Sequence, residues 1–210
     1  MFRSFGAFAV IAALGGALAG CTQAVTSVAQ AAWEDRNTED QVTDRRIGVD
    51  ILAKLNDRDR GLILDLSSDV WEGRLLLTGT LSDARQKADV IRDLRGIKDV
   101  KALYDEVQIV PKADQDKKRG ERQASQGREA NTAGQAVDDF VIESKIKVHL
   151  LGEKQVTSVN YRWRAVNGTV SIIGRAGTQA EKDLVLRIVR SVEAVRQVKE
   201  YIQVKPVAKK

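Results

Sequence analysis

Catalysis needs a base, a nucleophile or a bound metal, and this chain is poor in all three. Its single histidine, His149, stands one helical turn after Lys145, with no second histidine or cysteine to work with. That is the pattern of a solvated or half-packed imidazole rather than a catalytic one. Asp57 and Asp59 alternate with Arg58 and Arg60 ahead of Gly61, a superficial calcium loop. The further oxygen ligands and the closing Glu of an EF-hand are missing, so the stretch reads as a solvated turn. No Gly-rich phosphate loop follows a strand and opens a helix. One cysteine forms no intramolecular disulfide, and one Cys with one His leaves little for a transition metal. The expectation is a protein without enzymatic activity, cofactor or metal.

The lone thiol has another use. Residues 1–20 carry Arg3, an apolar run from Phe5 to Leu18 and no acidic residue. The run falls short of the ~20 apolar residues that span a bilayer and reads as an export signal. It ends Leu18-Ala19-Gly20-Cys21, which resembles a bacterial lipobox, after which the cysteine is diacylated and becomes the mature terminus. The bland alternative is a plain signal peptide with a coincidental cysteine. Each buried CH₂ contributes ~0.8 kcal/mol, and two or more chains make a stable anchor. Residue 22 is Thr, not the Asp that marks inner-membrane retention, so the expected address is the periplasmic face of the outer membrane. Residues 21–43 then read as a tether: Thr22–Ala32 is small and polar, and Trp33–Asp40 has no amphipathic period. Trp33 either dips into a membrane interface, packs on the first folded unit or is simply exposed.

The elements that must position any site are written twice. Gly73-Arg74-Leu75-Leu76-Leu77-Thr78-Gly79 recurs 95 positions later as Gly168-Thr169-Val170-Ser171-Ile172-Ile173-Gly174. The same offset pairs Asp44 with Asp139, Ile47 with Ile142, Ile51 with Ile146, Lys87 with Lys182 and Val107 with Ile202, without insertion. This is a tandem duplication, with units at 44–110 and 139–205. Each opens with a helix (Ile47, Ile51, Leu52, Leu55; Ile142, Ile146, Leu150). Two strands come next, around Leu62–Ser67 and Leu75–Thr78, and around Val159–Arg164 and Val170–Ile173. They are joined at Glu72-Gly73 and at Asn167-Gly168, a strong hairpin signal. Gly79 and Gly174 mark a strand end or a close backbone approach. A capped helix at Ser82-Asp83 or Thr178 follows, buried through Ala84, Ala88, Ile91 and Leu94 or Val185, Ile188, Val189 and Val192. A last strand, Ala102–Val110 or Val198–Val204, completes each unit. The fold class expected is α+β: two tandem αββαβ units, each a small three-stranded mixed sheet packed on two helices. Residues 111–138, nearly devoid of large apolar side chains, read as a charged linker, flexible or only transiently helical over Pro111–Gln135. Residues 206–210 are a short basic tail.

These residues resemble the BON domain, through the Asn-Gly-Thr-Val-Ser-Ile-Ile-Gly centre and the Val-x-x-Val-x-x-x-Ile-x-Val ending of the unit. The resemblance covers about Asp44 to Val204. It implies the αββαβ fold and no enzymatic activity. It also implies anionic phospholipid as the partner, bound mainly through the first helix of the second unit, and a role in outer-membrane integrity. Glu72-Gly73 departs from the usual Asn-Gly, Ser191 replaces a common glycine, and the linker is long.

Charge divides the same way. Unit one holds 12 Lys+Arg against 13 Asp+Glu, and unit two 12 against 7, so the excess of positive charge sits in the second half. Each basic residue near an anionic bilayer contributes ~1 kcal/mol, within a Debye length of ~8 Å. On the opening helix of unit two, Phe140, Val141, Ser144, Lys145, Lys147 and Val148 form the candidate lipid-binding set. Phe140 and Val141 equally suit a hydrophobic staple at the helix start. A second reading is a lipid-tethered adaptor or chaperone-like protein that binds an envelope protein through an exposed sheet face around Ile63 and Leu76. Nucleic acid is not expected as a partner, because the aromatics form no stacking platform.

Overall fold

The computed structural model describes residues 34–125 and 139–205. Cys21, Trp33, the start of the tether and the basic tail lie outside the described residues. The chain forms α1 (Thr38–Arg58), α2 (Leu62–Asp65), β1 (Leu66–Trp71), β2 (Arg74–Leu81), α3 (Ala84–Arg95), β3 (Ala102–Ile109) and α4 (Lys112–Ser125). Then come α5 (Asp139–Gly152), a 3-10 turn (Ser158–Asn160), β4 (Tyr161–Val166), β5 (Thr169–Ala176), α6 (Gln179–Ser191) and β6 (Gln197–Val204). Each sheet has its middle strand antiparallel to the hairpin partner and parallel to the strand that returns after the helix. A parallel return needs a crossover, which α3 and α6 supply. The fold is thus α+β, with two repeated three-stranded mixed sheets and their helices.

Helix starts follow local chemistry. Asn37 accepts the Asp40 amide at 2.7 Å, Asp83 accepts Arg85, and Thr178 accepts Glu181, each satisfying an orphan donor of the first turn. Ile47, Ile51 and Leu55 of α1 bury into one core with Leu75 and Leu77, while Ile142, Ile146 and Leu150 of α5 enter the other with Val170 and Ile172. The repeat also keeps its polar latches. Asp44 accepts the amides of Glu72 and Gly73, both at 2.7 Å, and Asp139 accepts those of Asn167 and Gly168 at 2.9 and 3.0 Å. Each hairpin turn is thereby tied to the opening helix of its own unit. Both turn residues have positive φ, 52° and 77° in the first copy and 51° and 73° in the second, which matches the twist of a two-residue hairpin.

Four expectations change. Leu62–Asp65 is a helical turn, not strand; Leu62 and Leu66, four apart, reach one core as readily from a helix as Leu62, Leu64 and Leu66 would from a strand. In unit two the strand likewise begins only at Tyr161. Gly79 and Gly174 lie inside their strands rather than at an end, and the other alternative, a close backbone approach, holds: a Cβ on either would collide with the backbone carbonyl of Asp65 or Asn160. On α3 the buried residues are Val90 and Leu94, with Ile91 packed beside them, while Ala84 and Ala88 are exposed. On α6 Leu186 joins the buried set and Ile188 is half-buried. The supposed linker folds over Lys112–Ser125 as α4, without an apolar stripe. Ion pairs at helical spacing support it (Lys112–Asp116, Lys118–Glu121), and it docks on α2, where Arg119 and Gln115 hold the buried Asp65.

The helices cover one face of each sheet, and the two remaining faces pack on each other. Trp71, Leu76 and Ile173 are buried in this seam, and Tyr104 stacks on Tyr201 with ring centroids 4.1 Å apart. The surface expected for the adaptor reading is corrected here. Leu76 is fully buried in the seam, and Ile63 belongs to α2 and packs against the first core, so no open sheet face exists at these residues.

Candidate functional site

Helix α5 lays Ile142, Ile146 and Leu150 on the core, and Trp163 Nε1 donates to the Glu143 carbonyl at 3.1 Å. At 100° per residue the opposite side presents Phe140, Val141, Ser144, Lys147, Val148 and Leu151. A helix apolar on both sides belongs in a core or at an interface. Here the outer side stays open: Val148 is 67% exposed and Leu151 62% exposed, beside exposed Lys147.

Of the six residues expected to touch lipid, Lys147 and Val148 are exposed and Phe140, Val141, Ser144 and Lys145 are half-buried. Lys145 Nζ lies 2.8 Å from Glu193, so its charge is partly committed at home. The helix reading stopped at Val148 and missed Leu151, although three-residue spacing from Val148 puts it on the same face. His149 is exposed, flanked by no second base. The four glycines serve the hairpins and close approaches, away from this surface.

Behind the helix lies a charged junction. Glu143 accepts the Ala165 amide at 2.8 Å, and Arg164 bonds Asp69 across the seam at 3.1 Å. Burial pushes the Glu143 carboxyl above the usual carboxylate range, opposed by Arg164 and the Ala165 N–H. Asp139 behaves oppositely. Burial alone would raise it, but the amides of Gly168 and Asn167 and the Lys118 ammonium outweigh burial and hold it low.

The start of the described chain meets unit two on its seam side, where Glu34 pairs with Arg162. Asp35 is held by Asn160, through its amide at 2.9 Å and its carboxylate at 2.7 Å. Asn160 closes the 3-10 turn that precedes β4. Among the described residues no three His, Cys, Asp or Glu side chains gather as metal ligands, and no helix is long and apolar enough to cross a membrane.

Fold and surface together define a tandem αββαβ protein whose outstanding feature is a helix face, not a cleft. The chain belongs to the BON domain family, whose pattern matches residues 43–111 and 138–206. It is similar to the "Uncharacterized protein in gshII 5'region" of Anaplasma centrale, 28% identical over 159 residues, which covers 74% of this chain and 93% of that protein. It is also similar to "Osmotically-inducible protein Y" of Escherichia coli (strain K12), 24% identical over 162 residues, covering 77% of this chain and 73% of that one. Among solved structures, CdsD, a structural protein of the type III secretion system of Chlamydia trachomatis, aligns over 77% of this chain and 93% of its own, at 12% identity and a TM-score of 0.30.

Proposed function

We propose that this protein is a lipid-anchored, non-enzymatic periplasmic module that binds anionic phospholipid through α5 and supports the integrity of the bacterial envelope. The observation that carries the reading is the outer face of α5, where Val148 and Leu151 stand exposed beside Lys147 on the more basic unit. An apolar pair framed by cations suits shallow insertion among acidic headgroups. The lipobox ending at Cys21 supports the anchor, and Thr22 supports the outer membrane as its site. In this arrangement, a lipobox followed by two BON domains, the chain resembles the outer-membrane lipoprotein DolP. The kinship with a protein named as osmotically inducible agrees with a role in envelope stress.

Sedimentation with vesicles tests the lipid contact, using residues 22–210 without the acyl group. Phosphatidylglycerol vesicles should pellet the protein and phosphatidylcholine vesicles should not. Val148→Glu with Leu151→Glu should weaken binding at least ~10-fold, the equivalent of ~1.4 kcal/mol. Equal pelleting with both lipids, or an undisturbed double variant, overturns the assignment.

A further inference from the structure

Two features of the seam lead past the lipid-binding reading and do not rest on it. The first is that positions one repeat apart face each other. Asp69 and Arg164 are equivalent residues, and Arg164 reaches Asp69 Oδ1 at 3.1 Å with side chains only 3% and 14% exposed. Glu106 and Tyr201 are also equivalent, and the Tyr201 hydroxyl donates to the Glu106 carboxylate. Contacts run from β2 to β4 and, reciprocally, from β1 to β5. This is a pseudo-two-fold, isologous interface, in which a residue near the axis meets its own counterpart. Two identical charges there would repel each other. The chain instead carries Asp in one unit and Arg in the other, so unit one fits a unit two and neither fits itself.

The second feature is that the leaders cross. The segment entering unit one binds unit two: Glu34 pairs with Arg162 at 2.5 Å and Asp35 with Asn160, while Arg36 reaches back to Asp44 at 2.5 Å. The segment entering unit two, α4, binds unit one: Arg119 and Gln115 hold Asp65, while Lys118 reaches forward to Asp139 at 3.1 Å. Asp65 and Asn160 are once more equivalent positions. The seam contacts made by both units and both leaders can therefore form whether or not the two units belong to the same chain. Only residues 126–138 decide that, and the stretch from Ser125 to Asp139 reaches at most ~45 Å.

We propose that the seam is a binding site for a second copy of this chain. Unit one of one molecule accepts unit two of another, and reciprocally, giving an exchanged dimer with two seams equivalent to the intramolecular one. The dimer needs no new contact, so local density sets the balance. A connection of this length supplies an effective concentration on the order of millimolar, and copies crowded to that density compete with it.

Charge reversal at the axis tests this in the mature chain. Asp69→Arg and Arg164→Asp, taken singly, each oppose like charges in their own seam. Mixed, the two variants give an exchanged dimer in which one seam has the native pair and the other the reversed pair. Each single variant alone should have a lowered melting temperature. The equimolar mixture should sediment at twice the monomer mass with the wild-type melting temperature, and Asp69→Arg/Arg164→Asp in one chain should match wild type as a monomer. A mixture that stays monomeric and labile while the one-chain double variant recovers refutes exchange. Unaffected single variants, or a double variant that fails to recover, refute the axis pairing itself.

Discussion

Replacing Glu34 with alanine probes the joint between the entering chain and both units. The Glu34 side chain has no exposed surface and receives Arg36 through two nitrogens and Arg162 at 2.5 Å. Both guanidinium groups lie over the buried Trp71 ring, 4.2 and 5.4 Å from its centroid. Deleting the carboxylate leaves two neighbouring cations short of a counter-charge, and breaking a buried pair this way costs ~3–5 kcal/mol. Some compensation survives. Arg36 keeps Asp44 at 2.5 Å, and Arg162 keeps the carbonyls of Val159 and Tyr161 at 2.9 Å. The expected loss is therefore about 2–3 kcal/mol. With a urea slope of ~2 kcal/mol/M, the unfolding midpoint falls by about 1–1.5 M. A double-mutant cycle with Arg162→Ala separates the pair from the rest of the network and should return a coupling above ~1 kcal/mol. A Glu34→Ala midpoint within ~0.3 M of wild type, or a coupling near zero, would show that the leader does not clasp the seam.

Further expectations concern the repeat itself. Asp139 is held below its ordinary range in the folded chain, so its contribution is present above the unfolded carboxylate pKa of ~3.9 and disappears as pH falls through the lower folded value. Acid titrations of stability should therefore fall more steeply for wild type than for Asp139→Asn, and parallel curves would contradict the latch. Gly79 has φ 133° and no room for a Cβ between the Asp65 carbonyl and Leu66, so Gly79→Ala should cost about 3 kcal/mol or more by chemical denaturation. A loss below ~1 kcal/mol would mean that β1 and β2 can part at that point without penalty.

Much of the unit was written locally. The 95-residue register, the helix caps at Asp83 and Thr178, the Asn167-Gly168 turn and the core positions Ile47, Ile51, Ile142 and Ile146 all follow from periodicity and turn chemistry, which act over a few residues. The division of charge between the units could also be read there. The candidate lipid face was half legible. Its helix and Val148 came from spacing, but which side chains stay open depends on what packs above them: Glu193 draws in Lys145, and Leu151 is left exposed.

The partnership between units came only from tertiary structure. The run Leu75-Leu76-Leu77 is that of a strand covered on both faces, but it does not say what covers the outer one. Local pattern is likewise silent for Lys112–Ser125, whose polar composition suits a solvated strand of chain as well as a helix. It is a helix here because Asp65, buried fifty residues earlier, needs the donors of Gln115 and Arg119. Contacts between residues far apart in sequence leave no periodic trace, so local pattern determined each unit while packing of unlike charges across the axis decided how the two units meet.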